Sequence, residues 1–273
     1  MIKIITDSSC DLTKDYIDSH SNLMVLPLKT SYKNENLENM DRKEFYNLLE
    51  NLDGEFPKTS QYNPDEFYEV FKTIPENQEV LYLGLGSGFS GTYNSAHLAK
   101  NMLAEERDVS NIHIYDSQTA TCALALLIDL ALDLSDRTVA EIIAALDEAQ
   151  NKIIFSAAVG NLKHLYAGGR LSKNSAAIGN LLNIHPILGA LGNKIEVKTK
   201  TRGNKKTVDF LINEIKDKNI RKMFIIKGKD SEIFQFFISE INALNIEYTV
   251  LEFGPVIATH VGPDCFGVGI LTF

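Results

Sequence analysis

Hydroxyl side chains and glycines are concentrated in residues 79–94, which read EVLYLGLGSGFSGTYN. The first part is a nearly continuous apolar run, which is typical of a strand that is buried on both faces. Glycines then interrupt the run, and Ser90 or Gly91 precedes a predicted amphipathic helix. Free backbone N–H groups and the positive end of the helix dipole favour an anion at such a junction. The stretch therefore predicts a phosphate or carboxylate site, with hydroxyl donors from Ser87, Ser90 and Thr92.

The same stretch also fits the dinucleotide fingerprint. Residues 86–91 read G-x-G-x-x-G, and a second predicted strand, residues 111–115, ends at Asp116, where a ribose-binding acid could lie. A dinucleotide-dependent oxidoreductase is therefore an alternative function. No lysine follows the last glycine, so the loop is not a P-loop.

Catalytic groups are harder to find. Ser87 lies between two glycines, but the G-x-S-x-G spacing of a nucleophile elbow is missing. Among the histidines only His260 lies among predicted polar turn residues, and no clear third member of a triad accompanies it. The six histidines form no H-x-x-x-H pair and no cluster with cysteine, so no metal site is predicted. Serine–histidine chemistry stays open at this point.

Polar residues also follow other predicted elements. Asp7, Ser8 and Ser9 follow a strand at residues 2–5, and Asp116 and Ser117 follow the strand at 111–115. The loop Thr59-Ser60-Gln61 precedes a helix that starts at Asn63 and Pro64. Ligands of open α/β sheets bind beyond the carboxyl ends of the strands, so these groups are expected to converge. The alternative for each one is a simple helix cap.

Two features of the second half bear on the same site. Gly168 and Gly169 end a short predicted helix, and Arg170 follows as a donor on a positioned loop or as a solvated side chain. His260 lies in a predicted turn, residues 259–263, after an apolar strand at 248–253.

Composition narrows the class of protein. The chain has 273 residues, 44% hydrophobic and 23% charged, with a net charge of −9 and a pI near 5.2. A general nucleic-acid-binding surface is therefore not expected. Three widely spaced cysteines argue against a disulfide framework and indicate a reducing cytoplasm. No signal-peptide pattern and no apolar run of about 20 residues is present.

Strands alternate with helices throughout, which predicts the α/β class. We predict two domains, residues 1–152 and 153–273, each a mainly parallel sheet flanked by helices. A further helix is predicted from Ser172 to Leu182.

Seven short motifs resemble the DegV family of bacterial fatty-acid-binding proteins, in the same order and over nearly the whole chain. They are Thr6-Asp7-Ser8-Ser9; Lys58-Thr59-Ser60-Gln61; Ser90-Gly91-Thr92-Tyr93 with Ser95-Ala96; Tyr115-Asp116-Ser117; Leu165 with Gly168-Gly169-Arg170; Leu181-Leu182-Asn183-Ile184 with Pro186-Ile187-Leu188; and Gly254-Pro255-Val256-Ile257 with His260-Val261-Gly262-Pro263.

The resemblance implies a carrier that is not itself an enzyme, with one long-chain fatty acid held between two α/β domains and no cofactor. It implies a partner, a fatty-acid kinase that phosphorylates the presented carboxylate for phospholipid synthesis, and it is compatible with transient membrane contact. It places the carboxylate at Thr59 and Ser90, with His260 in the same network and Arg170 near the tunnel mouth. The neighbouring Ser60, Gln61, Ser87, Gly91 and Thr92 complete the predicted ligand-binding set.

Two residues depart from the family pattern. Gly86 stands where many members have serine, which removes one hydroxyl donor. Asp264 stands where glycine is usual, which adds a negative charge near the mouth. Both departures bear on kinase docking more than on the lipid, because a long acyl chain contributes about 0.8 kcal/mol for each buried CH₂ group.

Overall fold

The computed structural model describes residues 1–37, 40–171, 183–190 and 193–273. The strands of the N-terminal half are β1 (Lys3–Asp7), β2 (Leu23–Leu26), β3 (Lys29–Tyr32), β4 (Glu35–Asn36), β5 (Lys58–Ser60), β6 (Val80–Gly84) and β7 (Ile112–Asp116). Its helices are α1 (Lys14–Asp18), α2 (Arg42–Glu50), α3 (Pro64–Lys72), α4 (Thr92–Ala104), α5 (Thr121–Asp133) and α6 (Val139–Gln150), with a 3₁₀ turn at Ser8–Cys10.

The strands of the C-terminal half are β8 (Ile153–Ala158), β9 (Ile184–Ala190), β10 (Ile195–Arg202), β11 (Ile220–Lys227), β12 (Thr249–Glu252) and β13 (Phe266–Thr272). Its helices are α7 (Lys163–Ala167), α8 (Asn204–Ile215), α9 (Glu232–Ala243) and α10 (Pro255–Val261). The predicted helix from Ser172 to Leu182 lies outside the described residues, as does Gly192 of the predicted turn before β10.

The first sheet is parallel, as predicted, with the strand order β2-β1-β6-β7. Its central strand β6 is buried along its whole length because side chains on both faces are covered. Val80 and Tyr82 pack with α3 and α4, whereas Leu81 and Leu83 belong to the core that contains α5. This arrangement explains the continuous apolar run in the sequence.

The second sheet differs from the prediction. It has six strands in the order β10-β9-β8-β13-β11-β12, and among these pairs only β11 and β12 are parallel. The expectation of a mainly parallel second sheet was wrong because the chain returns at once from β9 to β10, and because the last strand, β13, inserts antiparallel between β8 and β11. The apolar helix α5 shares one core with residues of this sheet, such as Phe224 and Ile226.

A small antiparallel sheet, in the order β4-β3-β5, was not predicted. Residues 23–28 have the pattern of a strand, which the structure confirms as β2, but β3, which follows from Lys29, was not predicted. The polar loop predicted at Thr59 is in fact strand β5, in which Thr59 pairs with Thr30. Backbone pairing therefore fixes the orientation of Thr59 more tightly than a loop would.

Local capping signals were mostly read correctly. Asn63 and Thr138 each form the complete capping box at the start of α3 and α6. Thr13 caps α1, but Asp11 does not: its carboxylate accepts the backbone N–H of Gly254 at 2.8 Å. That bond holds the start of α10, the helix that contains His260 where a turn was predicted. The domain division at residue 152 stays a prediction. Residue 152 lies between α6 and β8, and β8 is the first strand of the second sheet along the chain.

Candidate functional site

A cavity of about 320 Å³ lies between elements of the two halves. Its wall is mostly apolar, and the N-terminal and C-terminal halves both contribute to it. The apolar lining includes Leu28, Leu85, Phe89, Phe155, Ala157, Leu188, Ala190, Ile195, Phe253, Val256, Ile257 and Cys265. Its volume is within the range of small-molecule sites, about 300–1,000 Å³.

The structure brings most of the predicted ligand-binding residues to this cavity. Those that line it are Thr59, Ser60, Gln61, Ser90, Gly91 and His260, and Arg170, predicted to bind the partner, lines it as well. The Thr59 hydroxyl and the His260 ring join the two halves, since Oγ1 lies 2.8 Å from Nε2. An apolar chamber with a cluster of hydroxyl, amide and guanidinium groups is suited to an amphipathic anion.

The Gln61 side chain lies directly beside Gly91. A Cβ at position 91 would lie 2.1 Å from Oε1 of Gln61, whose amide nitrogen donates to Oγ of Ser95 at 2.9 Å. Strand β5 and helix α4 are thereby joined directly beside the cavity.

Ser90 is supported by Thr92. The Ser90 hydroxyl accepts the backbone N–H of Thr92 at 3.2 Å and lies 2.8 Å from its Oγ1. Thr92 itself is buried and does not line the cavity, so its hydroxyl holds Ser90 in place. Gly91, the N-cap of α4, carries no side chain that could compete for the helix N-terminus.

His260 is neutral at pH 7. Burial, the nearby charge of Arg170 and the proximity of His164 lower the pKa of His260 to about 4. Its Nε2 faces Thr59, whereas its buried Nδ1 has no hydrogen-bond partner among the described residues. We assign the ring proton to Nε2, because a buried N–H without an acceptor is costlier than an unused lone pair. His260 then donates to Thr59, and the Thr59 hydroxyl proton is free for a ligand.

Arg170 lies at the exposed edge of the cavity. Its guanidinium donates to the carbonyl oxygen of Gly168, at the turn that ends α7. Its guanidinium has further N–H donors and a permanent positive charge, which can attract an anion to the cavity.

Ser87 and Asp116 form a different cluster that does not line this cavity. The Ser87 hydroxyl donates to Asp116 at 2.6 Å and accepts from the amide of Asn193 at 2.7 Å. Asn193 also accepts the backbone N–H of Gly88 at 3.0 Å. Asp116, the acid that a ribose would need, is therefore engaged within the protein, and no observation favours the dinucleotide alternative.

The residues after β1 are engaged in the same way. Asp7 accepts the N–H and hydroxyl of Ser9, the hydroxyl of Tyr82 and the N–H of Leu85. Ser8 accepts the N–H of Leu28. The polar residues after β1 were predicted to converge on the ligand site, but their side chains bind groups of the local fold instead. This agrees with the alternative that such residues act as caps.

Both departures from the family pattern have local explanations. A Cβ at Gly86 would lie 2.7 Å from the backbone nitrogen of Thr119, so this chain has no room for a serine there. Asp264 pairs with Lys229 at 3.0 Å, and Lys229 also pairs with Glu50. Asp264 thus shares one lysine with Glu50 instead of standing unpaired.

Sequence reasoning missed the apolar wall and Asn193. A buried Phe155 or Leu188 has the same pattern whether it faces a cavity or a packed core, so no signal distinguishes them. Within the described ranges, no group of three or more His, Cys, Asp or Glu side chains is arranged to hold a metal ion, and no helix has the length and apolar character to cross a membrane. Cys265 lines the cavity, and burial raises the pKa of its thiol.

These features define a class, an α/β protein in which an apolar cavity with a polar end lies between two sheets. A family model described as "Uncharacterised protein, DegV family" matches residues 1–272. A DegV domain-containing protein of Clostridium acetobutylicum is 32% identical over 280 residues, covering 98% of this chain and 97% of the relative. The chain belongs to the DegV family, and the resemblance inferred from the motifs is confirmed.

Two solved structures share the fold over the whole chain. A fatty-acid-binding DegV family protein from Thermus thermophilus has a TM-score of 0.89 and 25% identity, covering 100% of this chain and 99% of that one. A stearic-acid-binding protein from Eubacterium ventriosum has a TM-score of 0.88 and 26% identity, covering 100% and 98%. Relatives with this fold thus bind fatty acids.

Proposed function

We propose that this protein binds one long-chain fatty acid, with the acyl chain in the apolar cavity and the carboxylate between Thr59 and Ser90. The observation that carries the proposal is that one cavity combines an apolar wall with the hydroxyls of Thr59 and Ser90. His260 and Thr92 hold these two hydroxyls in place. The fatty acids bound by structural relatives support the same ligand class.

The two ends of the ligand would contribute differently. Each buried CH₂ contributes about 0.8 kcal/mol, so the acyl chain would supply most of the affinity. The carboxylate would accept hydrogen bonds from the Thr59 and Ser90 hydroxyls, and the positive charge of Arg170 would attract it. These contacts would set which end of the ligand faces the exposed edge.

We further propose that the carboxylate is presented to a separate fatty-acid kinase, whose acyl-phosphate product would feed phospholipid synthesis. The carboxylate oxygen would attack the terminal phosphorus of a nucleotide held by the kinase, forming one O–P bond while the nucleoside diphosphate leaves. A carboxylate is ionised at pH 7 and needs no general base. A carrier without catalytic residues or a cofactor of its own is sufficient for this role, in the cytoplasm and with only transient membrane contact.

Mass spectrometry of the purified protein tests the ligand. Native spectra should show one bound molecule per chain, and denaturation should release a long-chain fatty acid. An empty protein that takes up a nicotinamide nucleotide but not stearate would overturn the proposal. Kinase presentation is tested separately, by acyl-phosphate formation when the loaded protein is mixed with a fatty-acid kinase and ATP.

A further inference from the structure

Two adjacent glycines end helix α7, and they are glycines for different reasons. Gly169 has φ +69°, a conformation that favours glycine, and no atom lies within 4 Å of the place where a side chain would start. Gly168 has φ −77° and ψ −11°, which any residue can adopt. A Cβ at Gly168 would, however, lie 2.2 Å from Nδ1 and 2.8 Å from Cε1 of His260. The space beside Gly168 is therefore taken by the His260 ring.

The arrangement is reciprocal between α7 and α10. Gly262 ends α10, and a Cβ there would lie 2.7 Å from Cδ2 of His164, a buried residue of α7. Phe56, close before strand β5, packs edge-on against His164 with ring centroids 5.2 Å apart. Each helix thus ends at a glycine that accommodates the histidine of the other helix, which fixes both rings.

The His260 ring spans the distance between Gly168 and Thr59. Nδ1 faces the bare backbone of Gly168, and Nε2 lies 2.8 Å from the Thr59 hydroxyl. A methyl group at position 168 needs a contact of about 3.4 Å, so the rigid ring would have to move by more than an ångström. Movement of that size would disrupt the bond to Thr59, because hydrogen bonds weaken steeply with distance and angle.

We infer that Gly168 is a positioning residue of the carboxylate site, which acts through His260 to orient the Thr59 hydroxyl toward the ligand. The inference rests on the proposed function, since Thr59 needs this orientation only if a carboxylate binds there. Gly168 itself would not contact the carboxylate.

A double-mutant cycle tests the inference with stearate as the probe. In delipidated protein, Gly168→Ala should weaken stearate binding about tenfold, close to the loss caused by His260→Ala. The double variant should bind no more weakly than His260→Ala alone, because the ring through which Gly168 acts is gone. Gly254→Ala is the matched control: it lies at the other end of α10 with φ −74°, and its Cβ would come no closer than 3.4 Å to any atom. Its stearate affinity should be unchanged.

Thermal unfolding and ¹⁵N NMR of the His260 ring separate positioning from general damage. In the wild type Nε2 should be the protonated nitrogen, and Gly168→Ala should change that signal, whereas Gly254→Ala should not. If Gly168→Ala fails to fold, recovery of folding in Gly168→Ala/His260→Ala confirms the clash. The inference would be overturned if Gly168→Ala bound stearate with wild-type affinity. It would also be overturned if the loss of affinity in the double variant equalled the sum of the losses in the two single variants. If the wild type does not bind stearate, the proposed function fails, while the cycle in melting temperatures still measures the coupling of Gly168 to His260.

Discussion

Ser87 and Ser90 lie three residues apart on one loop, but they belong to different kinds of polar cluster. The Ser87 hydroxyl donates to Asp116 and accepts from Asn193, so its hydrogen is already used within the protein. The Ser90 hydroxyl lines the apolar cavity and is held by Thr92 from the buried side. A hydroxyl at a strand end is a candidate ligand donor only where the fold leaves its proton available.

Both clusters also connect the two halves of the chain. Thr59 meets His260 in the cavity, and Ser87 meets Asn193 at the tip between β9 and β10. The first connection would be completed by a ligand, whereas the second is complete without one. Ligand affinity should therefore depend on the first cluster, and ligand-independent stability on the second.

The largest expected effect is the removal of a cavity hydroxyl. Thr59→Val keeps the side-chain shape but removes the donor and leaves His260 without its partner, so stearate affinity should fall about tenfold to a hundredfold. Ser90→Ala should have a similar or somewhat smaller effect. Isothermal titration calorimetry of delipidated protein measures both losses.

Ser87→Ala is the matched control for these variants. It removes a hydroxyl from the same loop without touching the cavity, and its stearate affinity should stay within about twofold of the wild type. Equal losses in Ser87→Ala and Ser90→Ala would contradict the separation of the two clusters.

Arg170→Ala should separate presentation from binding. The guanidinium is exposed at the cavity edge and the acyl chain supplies most of the binding energy, so stearate affinity should fall only slightly. Acyl-phosphate formation with a fatty-acid kinase should fall about tenfold, because the exposed charge is available to the partner. Unchanged turnover would show that Arg170 does not contribute to coupling with the kinase. Lys194→Ala provides a comparison, because Lys194 is another cation beside Arg170.

Asn193→Gly should affect stability rather than binding. Asn193 has φ +62°, so glycine keeps the backbone conformation while it removes the bonds to Ser87 and Gly88. The free energy of unfolding should fall by about 1–2 kcal/mol, as measured by urea denaturation of the delipidated protein. A large loss of stearate affinity at unchanged stability would place Asn193 in the ligand site instead.

The sequence was informative where local chemistry decides the structure. The apolar run before Gly84 forms the buried strand β6, and α3 begins at Asn63 and Pro64 as predicted. Thr59, Ser90 and His260 were brought together by family resemblance, because 201 residues separate Thr59 from His260 and no local pattern connects them.

Long-range pairing explains what the sequence could not reveal. Ser87 and Ser90 have the same residue type on one loop, and the contact of Ser87 with the distant Asn193 distinguishes them. The antiparallel second sheet was missed for the same reason: β13 has the pattern of any buried strand, and its insertion between β8 and β11 depends on the whole chain.

The last expected effect is a pH dependence of the histidine-containing cluster. Burial is the main cause that lowers the pKa of both His164 and His260 to about 4, below the usual value of about 6.5. Between these values the two histidines bind more protons in the unfolded chain than in the folded chain, so their contribution to stability should decrease as pH falls from about 6.5 toward 4. Urea denaturation at pH 7 and pH 5 should show a smaller decrease in His260→Ala than in the wild type. Asn193→Gly changes the cluster without a histidine and should keep the wild-type decrease, and an equal decrease in all three proteins would show that His260 does not contribute to it.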